Sequence, residues 1–128
     1  MISGSLQIRN TANKGRGLFA DAFIKADTVI EVSPVVVMSA EERQHLEETD
    51  LRNYIFEWGN DSNQCALALG YISIYNHSYN SNCEYFMDFD ENIMFIKTVK
   101  DVEPGTELTL NYNGDFNDGA EIWFDAED

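Results

Sequence analysis

A chain of 128 residues is long enough for one domain with its own core and too short for two of ordinary size. Apolar residues make up 44% of it and aromatics 12%, a composition that supports a packed globule and does not suggest disorder. The formal net charge of −15, from 23 acidic and 8 basic residues, argues against a phosphate-binding nucleic-acid surface; it fits a basic partner, or simple solubility.

Met1 to Ser5 carries neither a basic n-region nor an apolar h-region, and the longest apolar run, Val35 to Met38, is far too short for a bilayer. The expectation is a soluble intracellular protein without membrane contact, cytoplasmic, or nuclear in a eukaryotic cell. Ser5–Arg9, Thr28–Val32 and Pro34–Met38 read as strands, with Pro34 fitting the first position of an edge strand. Between the first two lies Lys14-Gly15-Arg16-Gly17-Leu18-Phe19-Ala20. Two glycines one residue apart let a turn approach a ligand closely, although such pairs also serve as plain turns and no β-α-β context follows.

Ser39-Ala40-Glu41-Glu42 is a capping box, so a short acidic helix should run to about Glu48. Asn53 to Trp58 puts Tyr54, Phe56 and Trp58 on one face if extended. Cys65 and Cys83, with His45 and His77, lack the spacing of a zinc site, so reduced thiols and no metal are expected. Tyr71 to Ser78 brings Asn76, His77 and Ser78 after an apolar stretch and leads to Asn82. Such a run fixes a loop by side-chain hydrogen bonds, and a structural His in a turn is the bland alternative. Cys83–Phe89 and Ile93–Thr98 flank a connection of hairpin length, Asp90-Glu91-Asn92. After the Pro104-Gly105 turn, Glu107 to Asn111 forms a last strand that runs into Tyr112, a phenol that either projects into a site or packs in the core. About eight strands and one clear helix make a mainly β architecture, which names no function.

Together, in this order and spacing, the three segments resemble the SET-domain protein lysine methyltransferases. Gly15-x-Gly17 looks like the family's cofactor loop, Asn76-His77-Ser78 with Asn82 like its N-H-S-x-x-x-N signature, and Glu107-Leu108 to Tyr112 like its E-L-x-x-x-Y signature. Two positions depart from it: Tyr79 and Ser81 stand where many members have Cys and Pro. Flanking cysteine-rich zinc segments are also absent, which resembles the minimal viral and bacterial stand-alone type.

The resemblance implies a β-clip fold of small curved sheets with a C-terminal pseudoknot and one short helix, in a single domain 1–128 with its core at about 6–116 and a capping segment at 117–128. It also implies methyl transfer from S-adenosylmethionine to a lysine of a basic protein or peptide such as a histone or histone-like tail, without direct nucleic-acid contact. A homodimer is compatible with it. Tyr112 aligns with the catalytic Tyr, and Tyr54 looks like a second catalytic and channel Tyr. Lys14, Gly15, Arg16, Gly17, Asn76, His77 and Tyr112 are the expected cofactor contacts. Tyr85, Phe116 and Leu110 join Tyr54 along the lysine channel; Leu110 stands where relatives carry a product-restricting aromatic. Trp123 or Phe124 is expected to cap the site unless the acidic tail is a solubilising end. The rival expectation is a catalytically silent module that binds a peptide or partner.

Overall fold

Short β-branched runs separated by tight turns give a mainly β architecture, seen in a computed structural model that describes residues 1–112. These residues form β1 (Leu6–Asn10), β2 (Arg16–Ala20), β3 (Val29–Met38), α1 (Ala40–Leu46), β4 (Ile55–Trp58), β5 (Gln64–Ala68), β6 (Asn76–His77), β7 (Cys83–Asp88), β8 (Ile93–Thr98) and β9 (Glu107–Leu110). One-turn 3-10 helices lie at Asp50–Asn53 and Ile72–Ile74. The strands run in the order β1-β2-β9-β7-β8-β3-β5-β4, with β6 beside β9. Pairing is antiparallel, that of β9 with β2 included, except where β9 lies parallel to β6 and β7.

Alternation in β8 buries Met94, Ile96 and Thr98 and leaves Ile93, Phe95 and Lys97 half-buried. Leu18, Ile30, Ile72, Tyr75, Leu108 and Leu110 complete the centre of the core. Each such side chain contributes roughly 1.5–3 kcal/mol by leaving water. The N-terminus of α1 is closed as expected: the Ser39 hydroxyl accepts from the Glu42 N–H at 3.1 Å, and the Ser39 N–H donates to the Glu42 carboxylate at 3.0 Å. α1 buries no residue and is held by Arg43, which reaches Glu57 at 3.2 Å and the Ser62 carbonyl at 2.8 Å. No described helix is long and apolar enough to cross a membrane.

Several local expectations are corrected. The runs on either side of Ser33 are one strand, and Pro34 lies inside it where β3 changes neighbour: Pro34 pairs with Ile93 of β8, and Val35 with Ala68 of β5. The Val35 N–H supplies the bond to the Asn92 carbonyl at 3.0 Å, so the donor that proline lacks falls at the end of the β5 ladder. β5 itself, although bounded by the turn residues Gly59 to Asn63 and by Gly70, was not anticipated. Tyr54 is not in a strand with Phe56 and Trp58. It ends the 3-10 turn, its N–H bonded to the Leu51 carbonyl at 2.9 Å, and is released from the parity of β4.

Candidate functional site

The site grows from the seam between β6 and β9, where Asn76 pairs with Thr109 and His77 with Leu110. Two paired residues make a short ladder, and side chains reinforce it. The Asn82 amide donates to the Glu107 carbonyl at 2.9 Å and accepts from the Thr109 N–H at 2.9 Å, replacing backbone bonds that β9 would otherwise lack. The Asn76 amide donates to the Glu107 carboxylate at 2.8 Å and to the Arg16 carbonyl at 3.0 Å, so one side chain ties β6 to both β9 and β2.

That knot explains the second glycine of the Gly15-x-Gly17 segment. A Cβ at Gly17 would lie 2.5 Å from the Glu107 carboxylate and 2.8 Å from the Asn76 amide nitrogen. The segment is therefore not one two-glycine turn: Gly17 lies in β2 and is needed for close approach, while Gly15, at φ +71°, makes the turn. The Thr11 hydroxyl accepts from the Lys14 N–H at 2.8 Å and closes the loop, and the Lys14 ammonium donates to the His77 carbonyl at 3.2 Å.

His77 is buried, and its Nδ1 accepts from the Tyr112 N–H at 3.0 Å, which leaves the ring proton on Nε2. The Tyr112 hydroxyl donates to the Tyr75 carbonyl, and the Tyr112 carbonyl accepts from the Tyr85 hydroxyl at 3.3 Å. The rings of His77 and Phe56 lie 5.3 and 6.5 Å from that of Tyr112, and Phe56 is 5.3 Å from Tyr85. Burial pushes the Tyr112 hydroxyl well above the usual phenol range, with nearby Tyr54, Tyr85 and Glu107 adding to it. Tyr85 is pushed up to about 12 by burial and by Glu57. Both phenols therefore remain protonated donors near neutral pH.

A cleft of about 390 Å³ opens over this seam, lined by Lys14, Gly15, Arg16, Asn53, Tyr54, Ser73, Ile74, Asn76 and Tyr112. It brings together six of the residues singled out above: Lys14, Gly15, Arg16, Tyr54, Asn76 and Tyr112. Gly17 and His77 are buried and support the lining residues through the contacts just described. Tyr85 is fixed to the backbone of Tyr112, and Leu110 is fully buried in the core, paired with His77, and does not line the cleft. Phe116, Trp123 and Phe124 lie outside the described residues. Sequence reasoning missed Asn53, Ser73 and Ile74 as lining residues and Glu107 as the partner of Asn76. Thr49 before Asp50 was the available sign of the 3-10 turn that presents Asn53; its hydroxyl accepts from the Leu51 N–H at 3.2 Å. Among the described residues, no three His, Cys, Asp or Glu side chains gather as a metal site.

The family model of the SET domain matches residues 15–113. Over 128 residues the chain is 36% identical to a histone-lysine N-methyltransferase of Schizosaccharomyces pombe named as H3 lysine-37 specific, covering 99% of this chain and 82% of the relative. It is 31% identical over 121 residues to the histone-lysine N-methyltransferase SETD7 of Halocynthia roretzi, covering 84% of this chain and 31% of that one. Among solved structures, a Plasmodium falciparum protein described as a candidate histone methyltransferase superposes with a TM-score of 0.67 at 27% identity, covering 87% of this chain and 95% of that chain. A Chaetomium thermophilum Polycomb Repressive Complex 2, in a humanized mutant form, shares the fold with a TM-score of 0.70 at 19% identity, covering 88% of this chain and 15% of that one.

Proposed function

Because the chain belongs to the SET-domain family, we propose that it is a protein-lysine N-methyltransferase that uses S-adenosylmethionine and acts on a lysine in a basic, histone-like tail. The observation that carries this reading is the convergence of Tyr112, Asn76 and the Lys14–Arg16 turn on one cleft. Its 390 Å³ falls in the range of roughly 300–1,000 Å³ typical of small-molecule sites. Lys14 and Arg16 put two cations at its wall in a chain of net charge −15, which suits a ligand carboxylate, and the Gly15 turn leaves open space where a side chain would stand. Lys14, Gly15, Arg16 and Asn76 would hold the cofactor, supported from behind by Gly17 and His77. When bound, S-adenosylmethionine supplies an electrophilic methyl group.

The residues of the chain prepare the nucleophile. A free lysine titrates near ~10.4, so only about one in a thousand is neutral at pH 7.4. A channel walled by Tyr54, Phe56, Tyr85 and Tyr112 desolvates the ammonium, lowers its pKa and grips the alkyl stem. Tyr112 is too weak an acid to lose its proton at neutral pH, so it does not serve as a general base. Its hydroxyl donates to the Tyr75 carbonyl, which fixes the direction of the O–H, and its oxygen would accept from the incoming amine and orient it. The acidic surface steers a basic tail toward the cleft.

The test is incubation of the protein with labelled S-adenosylmethionine and histone H3 or lysine-rich peptides, with mass-spectrometric mapping of the product. The expected result is a methylated lysine in a basic segment. Cofactor binding without transfer to any peptide would favour a silent binding module, and no cofactor binding would remove the reading altogether.

A further inference from the structure

Glu31 is the only fully buried carboxylate among the described residues, and no Lys or Arg lies against it. Three donors hold it. Its Oε2 accepts from the Ser33 hydroxyl at 2.7 Å and the Tyr71 N–H at 2.8 Å, and its Oε1 accepts from the Tyr75 hydroxyl at 3.2 Å. A buried carboxylate with hydrogen bonds alone is an expensive way to stabilise a core, since an apolar residue of similar size would do it without desolvating a charge.

Its bonds have a direction. Two of the three run from β3 to the segment Tyr71–Tyr75 and grip both ends of the one-turn helix Ile72–Ile74. Between those ends, Ser73 and Ile74 form part of the cleft wall. The approach is close: at Gly70, φ +67°, a Cβ would lie 2.5 Å from both the Glu31 carboxylate and the Ser33 hydroxyl. Tyr75 is fully buried, and burial beside Glu31 raises its phenol well above the ordinary range, so it stays a donor. The backbone carbonyl of this same residue accepts the Tyr112 hydroxyl.

We infer that Glu31 and Tyr75 are positioning residues for Tyr112: the buried carboxylate holds the Tyr75 phenol, which fixes the Tyr75 carbonyl that orients the Tyr112 hydroxyl. Neither residue lines the cleft, and both act through Tyr112. The inference rests on the reading that the Tyr112 hydroxyl serves methyl transfer.

The test is a double-mutant cycle in the full chain, comparing wild type, Tyr75→Phe, Tyr112→Phe and the double variant for kcat, both KM values and melting temperature. Tyr75→Phe removes one hydroxyl and should lower kcat about tenfold with both KM values within about twofold, the signature of lost orientation. In the Tyr112→Phe background the same change should cost nothing further. Glu31→Gln keeps one accepting oxygen and should fall between wild type and Tyr75→Phe. It takes the place of Tyr75→Phe in the cycle if that variant does not fold. Wild-type kcat in Tyr75→Phe alongside an impaired Tyr112→Phe overturns the inference alone. So does a loss that adds fully to that of Tyr112→Phe, which would mark a general structural role. Wild-type turnover in Tyr112→Phe overturns the reading of Tyr112 and the inference with it.

Discussion

The two walls of the cleft are built differently. On one side, the β6–β9 seam pairs only two residues of β6, yet Asn76, His77, Asn82 and Glu107 each bond across it, and a methyl group at Gly17 would collide with two of them. On the other, Asn53 and Tyr54 come from a one-turn helix with no buried residue, capped by the Thr49 hydroxyl and tied across the cleft by the Ser73 hydroxyl, which donates to the Tyr54 carbonyl at 2.8 Å. One wall is over-determined, and the other hangs on a few exposed bonds. Methyl transfer tolerates little displacement of the groups around the amine, whereas a peptide entrance can give, so on the proposed function the first wall would serve chemistry and the second recognition.

The largest test of that difference is alkaline pH. Cys83 sits in the seam region, paired with Leu110, and burial raises its thiol from an ordinary value of 9.0 to about 12. Tyr85 is raised to about 12, and Tyr75 and Tyr112 are raised as well. The unfolded chain releases these protons from about pH 9 to 10, while the folded chain keeps those of Cys83 and Tyr85 until about pH 12 and holds those of Tyr75 and Tyr112 above the ordinary phenol range. Stability is therefore fully present below about pH 9 and falls as pH rises from there toward 12. Urea titrations from pH 8 to 11.5 should show a steady loss of several kcal/mol, and Cys83→Ala should flatten the slope between pH 9 and 10. A stability that does not change up to pH 11 would mean that the seam is wetter than its burial indicates.

Next in size is Tyr112→Phe, which keeps the ring among His77 and Phe56 and removes only the hydroxyl. Turnover should fall about a hundredfold, or roughly 2.7 kcal/mol, with cofactor affinity by calorimetry and melting temperature little changed. Gly17→Ala follows. Its methyl group has to displace both the Glu107 carboxylate and the Asn76 amide, so a stability loss of about 1–3 kcal/mol is expected, together with weaker S-adenosylmethionine binding. An alanine variant that melts with wild type and binds cofactor equally well would show that the seam yields more easily than its bonding suggests.

What could be read in the sequence follows the same division between local and distant causes. The capping box at Ser39 and Glu42, the hairpin of β7 and β8, and the strand β9 each depend on residues a few positions apart, and each is where local chemistry places it. Pro34 in mid-strand and Gly17 outside the turn were misplaced because the deciding partner is far along the chain, β5 and β8 for Pro34 and Asn76 with Glu107 for Gly17, whereas Tyr54 outside β4 follows from the Thr49 turn just before it, a local sign that was missed. No periodicity brings Asn76 beside Thr109. That pairing was foreseen only through resemblance, which specified that the second and third motifs lie side by side. Resemblance still placed Leu110 along the lysine channel, whereas the parity of β9 turns it into the core.

The smallest expected effect comes from the open wall. The Thr49 hydroxyl accepts from the Leu51 N–H and donates to the Leu46 carbonyl at 2.7 Å, so it joins the end of α1 to the turn that presents Asn53 and Tyr54. Thr49→Ala removes both bonds at an exposed position, and a neutral exposed hydrogen bond or cap contributes about 1 kcal/mol. Global stability should fall by about that much or less. Because the turn faces the cleft but holds none of the seam, kcat should stay within about twofold while KM for the peptide rises about threefold, a loss of uniform binding. Hydrogen exchange at the Leu51 and Tyr54 amides should quicken in the variant, since these N–H groups close the turn. A fall in kcat comparable to that of Gly17→Ala would show that the two walls move as one body, and that the seam depends on the turn as much as on its own bonds.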